Sequence, residues 1–390
     1  MAVLKCIEDA YLLIEDGLIT DYGEMSKLNT QLLNPVYQID ATGKIVMPCW
    51  CDSHTHIVYA GSREKEFVDR IKGLSYEEIA TRGGGILNSA QRLRDASEEE
   101  LYQSAWKRLD EIMMQGTGAV EIKSGYGLSI DSELKMLRVI KHLKQNHPLT
   151  IKATFLGAHA VPEEFKGNKG KYIELLINEL MPRIAKEQLA DFCDVFCERG
   201  YFTKEETIRL LKAAKEYGMI PKVHAEQLSH SGGIEAGVDT HALSVDHLEY
   251  ANDNDIELLK DSRTMPTLLP GAQFFLQLPC PPARKMIDAG LPVAIASDYN
   301  PGSSPSGNIS LMIALACIQY RMTPEEAINA ATVNSAYAMD ISRTHGSIAK
   351  GKIAKVFLTK AIPGYACLPY WFGSNFIETV IINGEVQTSN

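Results

Sequence analysis

Two histidines stand one residue apart in Asp52-Ser53-His54-Thr55-His56. In an extended segment residues i and i+2 share a face, so both imidazoles can reach one metal ion. Such pairs recur by chance, and the pair alone is a weak signal. It gains weight from His224 in IPKVHAE and Asp298 in PVAIASD, each closing another β-rich run. Three imidazoles and one carboxylate suit zinc and also iron. The expected cofactor is one divalent metal ion per chain, zinc or iron (Zn2+, or Fe2+/Fe3+), on His54, His56, His224 and Asp298. The rival reading is a set of buried, hydrogen-bonded histidines. It has to explain why five of the ten histidines (54, 56, 159, 224 and 247) fall at or just past predicted strand ends.

A hydrolytic metal site also needs a group that moves a proton of water. Asp298 can ligate with one oxygen and accept a hydrogen bond with the other. His247, in ALSVDHLE, is the candidate proton shuttle or carbonyl polariser. Glu226 and Gln227 follow His224 closely, and either can orient the nucleophile, although a glutamine is no general base. His159, in LGAHAVP, reads as a substrate contact or as a donor behind the ligands. Arg63, seven residues beyond His56, and Tyr126, in KSGYGLS, together form a receptor for a substrate carboxylate. A surface ion pair and a packed phenol are the plainer alternative. Asn300 and Ser303, in SDYNPGSSPSGN, offer amide and hydroxyl groups to a small polar ring, against the plainer reading of a solvent-facing turn. Lys123 ends a β-rich run without a second ligand set beside it, which favours a single metal and an ion-pairing or packing role.

These residues need elements that bring them to one place. Eight β-rich runs occupy 45–51, 118–124, 150–157, 191–198, 220–226, 242–249, 263–270 and 292–298. Amphipathic helices lie between several of them. Ser97 with Glu100, Thr203 with Glu206 and Thr323 with Glu326 have the spacing of capping boxes. Eight β units with helical crossovers predict an α/β fold, a (β/α)8 TIM-like barrel over 46–350. In such a barrel the C-terminal strand ends form the mouth. Short alternating segments in 1–45 and 351–390, with a hairpin signal at Asn383-Gly384, predict a small β-sandwich domain built from both termini. Between the first two barrel strands, Gly83-Gly84-Gly85 marks a tight turn or a close approach, against the plainer reading of a flexible loop tip; whether it closes over the site as a lid is not written in the sequence.

Composition sets the outer bounds. The 390 residues carry 39 basic and 49 acidic side chains, a formal charge of -10, and no basic stripe, which argues against a nucleic-acid partner. Hydrophobic residues make up 45%, enough for a large core, yet no apolar run reaches membrane-spanning length. Eight dispersed cysteines and acids in the opening MAVLKCIEDAYLLIEDG predict a reduced, cytoplasmic protein without a signal peptide or membrane partner.

The motifs DSHTHIVYAGSREKEF, TRGGGI, EIKSGYGL, FLGAHAVP, HAEQLSHSGG, SVDHLE and ASDYNPGSSP, in this order, resemble the imidazolonepropionase family of the amidohydrolase superfamily. The resemblance runs through nearly the whole chain. It implies a metal on His54, His56, His224 and Asp298, and a propionate grip by Arg63 and Tyr126. It also implies His159 against the substrate ring, His247 by the reactive carbonyl, and Asn300, Gly302 and Ser303 as the substrate loop. The implied reaction is hydrolysis of the cyclic amide of 4-imidazolone-5-propanoate to N-formimino-L-glutamate, in a homodimer. Gln227 stands where a mechanism needing a carboxylate would be in difficulty, which moves proton transfer onto Asp298 and His247. The alternatives are a related cyclic amidohydrolase or aromatic-base deaminase with the same ligands, and a non-catalytic metal-binding homologue.

Overall fold

The computed structural model describes residues 1–29, 35–74, 78 and 85–388. The chain opens with a hairpin of β1 (Ala10–Glu15) and β2 (Leu18–Glu24), followed by β3 (Val46–Pro48). Eight barrel strands come next: β4 (Trp50–Thr55), β5 (Thr117–Lys123), β6 (Thr150–Ala158), β7 (Phe192–Cys197), β8 (Ile220–Ala225), β9 (Ser244–His247), β10 (Met265–Leu268) and β11 (Ala294–Ile295). The last strands are β12 (Val356–Thr359), β13 (Ile377–Ile382) and β14 (Glu385–Gln387).

Strands β4 to β11 pair in chain order, all parallel. Every residue of β4, β5 and β7 is buried, as a parallel sheet covered by helices requires. The last strand returns to the first. Asp298 N donates to His54 O at 3.0 Å, and His56 N to Tyr299 O at 2.9 Å. The barrel therefore closes through the backbone of the H-x-H segment and of Asp298, and those side chains meet at the seam.

The expected capping boxes at Ser97, Thr203 and Thr323 are all formed, each worth about 1 kcal/mol to its helix. The third begins a helical run that widens to a π-turn over Ala330–Asn334 before Ser335–Ala338. There Ser335 Oγ donates to Ile295 O at 2.9 Å, which ties the helix to the last barrel strand.

Both termini build the small domain. β3, β12, β13 and β14 form one antiparallel sheet, and the hairpin β1–β2 is docked to it. Ile19 N donates to Lys352 O and Ala354 N to Gly17 O, each at 2.8 Å. Val356, Leu358 and Ile381 pack against Leu12, Ile14 and Val46 to make the core of a β-sandwich. The run 45–51, expected as one barrel strand, is two strands in two sheets. β3 pairs with β12 (Met47 opposite Phe357), and the barrel strand begins at Trp50 and continues to Thr55. Pro48, which has no N–H for a ladder, ends β3 at the point where the chain passes from one sheet to the other, and the apolar pattern on its two sides is the same. Gly83 and Gly84 lie outside the described residues. Among the described residues, no helix is long and apolar enough to cross a membrane.

Candidate metal centre and substrate pocket

The mouth end of β4 carries His54 and, one step past it, His56; β8 carries His224, β9 ends at His247, and Asp298 follows β11. All five side chains are buried. The ring of His54 lies 4.4 Å from that of His224, 5.3 Å from His56 and 5.5 Å from His247, centroid to centroid. Asp298 Oδ1 is 3.6 Å from His54 Nε2 and 3.4 Å from His56 Nε2. Two donor triplets result, His54–His56–Asp298 and His54–His224–His247, each with ligand atoms within 4.8 Å of one another. His54 belongs to both.

The donor chemistry fits a cation. His54 Nδ1 is 2.6 Å from Asp246 Oδ2, while its Nε2, equally buried, has no hydrogen-bond partner. A buried nitrogen without a partner is costly unless something binds it. His224 Nδ1 lies 2.9 Å from Asp194 Oδ2, which leaves its other nitrogen for the site. A carboxylate behind a ligating imidazole fixes its tautomer and aims its free lone pair. Burial, then Lys123 and the neighbouring rings, holds His54 well below the ordinary histidine range, and burial lowers His224 too. Both imidazoles are thus neutral, as metal ligands must be. Burial would raise Asp298, but His56 and the other imidazoles outweigh it and its carboxyl is lowered.

The turn out of the strands is strained. Asp298 (φ 53°), His247 (φ 88°) and Leu248 (φ 72°) occupy the left-handed region that side-chain-bearing residues seldom adopt. Their conformation bends the chain just where the polar groups converge, a common feature of functional sites.

Beneath the ligands lies a buried charged layer that the sequence reading did not single out, apart from Lys123. Lys123 Nζ donates to Glu121 Oε1 at 2.6 Å and Asp194 Oδ2 at 2.8 Å, and Lys222 pairs with Glu121. Asp52 accepts from Ser297 N at 3.0 Å and Ser297 Oγ at 2.5 Å, across the closing seam. The signal was parity. Glu121 with Lys123, Lys222 with His224, and Asp52 with His54 are i, i+2 pairs on strands whose alternate residues face the barrel interior.

His159 stacks on His56, with centroids 5.6 Å apart and planes 18° apart, and its Nδ1 lies 3.1 Å from Gly125 O. Burial pushes its pKa down to about 3, so it too is neutral. Tyr126 sits 5.8 Å from His56 and 5.7 Å from His159. The loop after Asp298 folds inward and is no solvent-facing turn: Asn300 is only 4% exposed. Asn300 Oδ1 accepts from the amides of Gly302 and Ser303, both at 2.8 Å, and its Nδ2 donates to Asp298 O and to Ser303 Oγ, both at 2.6 Å. Ser303 Oγ donates to Asp298 Oδ2 at 3.1 Å. One oxygen of Asp298 therefore faces the imidazoles and the other the loop.

Arg63 reaches the same loop. A Cβ on Gly302 would collide with Arg63 Nη1, and Arg70 Nη2 donates to Gly302 O at 2.9 Å. The remaining edge of Arg63 is held by Glu66, with Nε 2.9 Å from Glu66 Oε2. Arg63 is thus held in an ion pair, largely buried rather than on the surface, and lies against the loop that follows Asp298.

Glu226, expected beside the nucleophile, has its carboxylate engaged at a helix start. Its carboxylate accepts the amides of Gly232 and Gly233 at 2.8 Å, Ile234 at 3.0 Å and Ser231 at 3.4 Å, capping the helix Gly233–Asp239. Its own φ of 49° shows that strand parity had already failed there. Gln227, 8% exposed, is left as the candidate next to His224. A further residue emerges in Glu249, whose buried carboxylate lies 3.7 Å from His247 Nδ1 and has no hydrogen-bond partner of its own. Burial would lower His247, but Glu249 and then Asp298 and Asp246 raise it on balance.

A parallel barrel closed in chain order, with histidines and an aspartate converging at its mouth, defines a class. The model of the amidohydrolase family matches residues 45–386, and the chain belongs to that family. Within it, the chain is similar to proteins named imidazolonepropionase. That of Christiangramia forsetii is 60% identical over 99% of this chain and 93% of its own length, and that of Flavobacterium psychrophilum has the same identity and coverage. That of Geobacillus kaustophilus is 44% identical over 100% of this chain and 92% of its own. These likenesses make the chain a member of the imidazolonepropionase family. Among solved structures, 5-methylcytosine deaminase from Klebsiella pneumoniae shares the fold, with a TM-score of 0.75, 18% identity, and coverage of 97% and 94%. A zinc-bound adenosine deaminase from Xanthomonas campestris does so at 0.69, with 15% identity and coverage of 97% and 88%.

Proposed function

We propose that this enzyme opens the cyclic amide of 4-imidazolone-5-propanoate to N-formimino-L-glutamate, with a zinc or iron ion on His54, His56, His224 and Asp298. The observation that carries the reading is the partnerless buried Nε2 of His54, aimed among four other donors in a chain so similar to imidazolonepropionases. When bound, the metal acidifies a water and polarises the ring carbonyl.

The chain's own residues supply the rest. Asp298 keeps one oxygen free of the imidazole cluster, steadied by Ser303, from which it can take a proton of water and return one to the leaving ring nitrogen. His247, backed by Glu249, stands beside the carbonyl to stabilise its developing negative charge. Gln227 orients the water by hydrogen bonding and takes no proton. Neutral His159 lies flat against His56 and presents its other edge to the ring of the substrate. Arg63 and Tyr126 grip the propionate. Arg63 pairs with Glu66, and Arg70 lies near enough to feel the charge of both. Asn300, Gly302 and Ser303 form the loop that receives the substrate ring. We further propose a cytoplasmic homodimer.

The test is loss of substrate ultraviolet absorbance with freshly prepared 4-imidazolone-5-propanoate and metal-quantified protein. Turnover should scale with metal content to one ion per chain and vanish in His224→Ala. Full metal occupancy without turnover would overturn the substrate assignment.

A further inference from the structure

Lys123 lies at the inner end of the candidate metal centre and touches none of the proposed ligands. Its ammonium is fully buried. It donates to Glu121 Oε1 at 2.6 Å and Asp194 Oδ2 at 2.8 Å, and pairs with Asp246 Oδ2 at 3.6 Å. Those two aspartate oxygens are the ones set against the rings of the ligands. Asp194 Oδ2 is 2.9 Å from His224 Nδ1, and Asp246 Oδ2 is 2.6 Å from His54 Nδ1. The outer oxygens are committed as well, Asp194 Oδ1 to His224 N at 3.0 Å and Asp246 Oδ1 to Ser244 Oγ at 2.6 Å.

We infer that Lys123 is a positioning residue for the metal, one ammonium shared by Asp194 and Asp246 that fixes the imidazoles of His54 and His224 toward a common ion. This rests on the metal-site reading above. The geometry is a relay over five strands: Lys123 on β5, the aspartates on β7 and β9, and the imidazoles on β4 and β8. The outer bonds anchor one oxygen of each carboxylate to His224 N or Ser244 Oγ, and the shared ammonium anchors the other, the oxygen that meets the ring. With the ammonium gone, that inner oxygen can tilt about the outer anchor, and the ring's Nε2 loses its aim. Lys222 is no substitute. Its ammonium is engaged by Glu121, Ser53 O and Ala338 O, and among the described residues Lys123 is the one lysine or arginine paired with either aspartate.

The experiment compares wild type, Lys123→Met, the charge-balanced pair Glu121→Gln/Lys123→Met, and Lys355→Met. Lys355 is a buried lysine of the same kind, bonded to Gly118 O, Pro148 O and Thr150 Oγ1. It is bonded to none of the aspartates behind the ligands, and it reports what losing any buried lysine does. The readouts are the zinc Kd of the apoprotein by competition with a chromophoric chelator, the visible spectrum of the cobalt-loaded protein, and the melting temperature of the apoprotein. Both Lys123 variants should weaken zinc binding 10- to 100-fold, the range for losing support behind a metal ligand, and should alter the cobalt bands. Lys355→Met should lower the melting temperature while leaving the Kd within twofold of wild type. Wild-type affinity in either folded Lys123 variant overturns the inference. So does equal weakening in Lys355→Met, since affinity would then merely follow stability. A wild-type protein that binds no stoichiometric zinc would instead sink the metal-site reading itself.

Discussion

Replacing Arg63 by alanine separates the reading of a carboxylate-bearing substrate from that of a neutral base. In the structure Arg63 spends Nε and Nη2 on Glu66 and leaves Nη1 against Gly302. A propionate therefore gains one charge-assisted hydrogen bond from the free edge, and a second only by displacing Glu66. One such bond is worth about 1.5–3 kcal/mol. At about 1.4 kcal/mol per factor of ten, its loss raises KM roughly 10- to 150-fold. The propionate is remote from the amide that breaks, so the grip is equal in ground and transition states, and kcat should change less than about threefold. Arg63→Ala also leaves the Glu66 carboxylate facing the incoming anion, which adds repulsion. Arg63→Ala/Glu66→Gln should recover part of the KM, and this recovery distinguishes charge from shape. Steady-state kinetics on metal-quantified protein decide the matter. A KM within twofold of wild type would refute the carboxylate receptor and favour a deaminase-like neutral substrate. A fall in kcat equal to that in kcat/KM, at constant KM, would refute the remote-grip argument.

Glu226→Ala removes the acceptor of four amides at the start of the helix Gly233–Asp239, and should cost about 2 kcal/mol of stability, read by denaturant unfolding. Activity per metal-loaded folded chain should stay within a fewfold of wild type, and a 100-fold fall in kcat at unchanged stability would return Glu226 to the chemistry. A second expectation concerns pH. Burial, then Lys355 and Lys352, pushes His345 down to about 4 from its ordinary value of 6.5. The unfolded chain then binds the extra proton between those values, so stability is lost as pH falls from about 6.5 to 4. The contribution is about 3 kcal/mol at most, at 1.36 kcal/mol per pH unit. His345→Gln should flatten that slope in denaturant titrations of the apoprotein, and an unchanged slope would refute it.

Much of the barrel was legible because its signals are local. Apolar runs of strand length, the Ser97, Thr203 and Thr323 capping boxes, and the polar residues gathered at run ends need no knowledge of distant partners. The crowding of His54, His56, His224, His247 and Asp298 at one rim followed once the runs were closed into a barrel, since every parallel strand then points its C-terminal end the same way. The run 45–51 was harder, because β3 leaves the barrel for a partner about 310 residues later, at β12. Glu226 shows the same limit at the scale of one residue. Parity placed it on His224's side, but its positive φ and four waiting amides turned it into a helix cap.

By itself, then, the chain determined which groups could do the chemistry and on which elements they ride, because side-chain type and hydrophobic period are written locally. Only the tertiary structure decided which partner each of those groups keeps. Asp194, Asp246 and Lys123 sit on three different strands, and nothing in the spacing of 123, 194 and 246 marks them as one ion-paired unit behind two imidazoles. Barrel closure brings Lys123 within 4 Å of both aspartates in a fully buried layer, where every charge must find its counterpart. That pairing is a property of the closed sheet, and no single strand contains it.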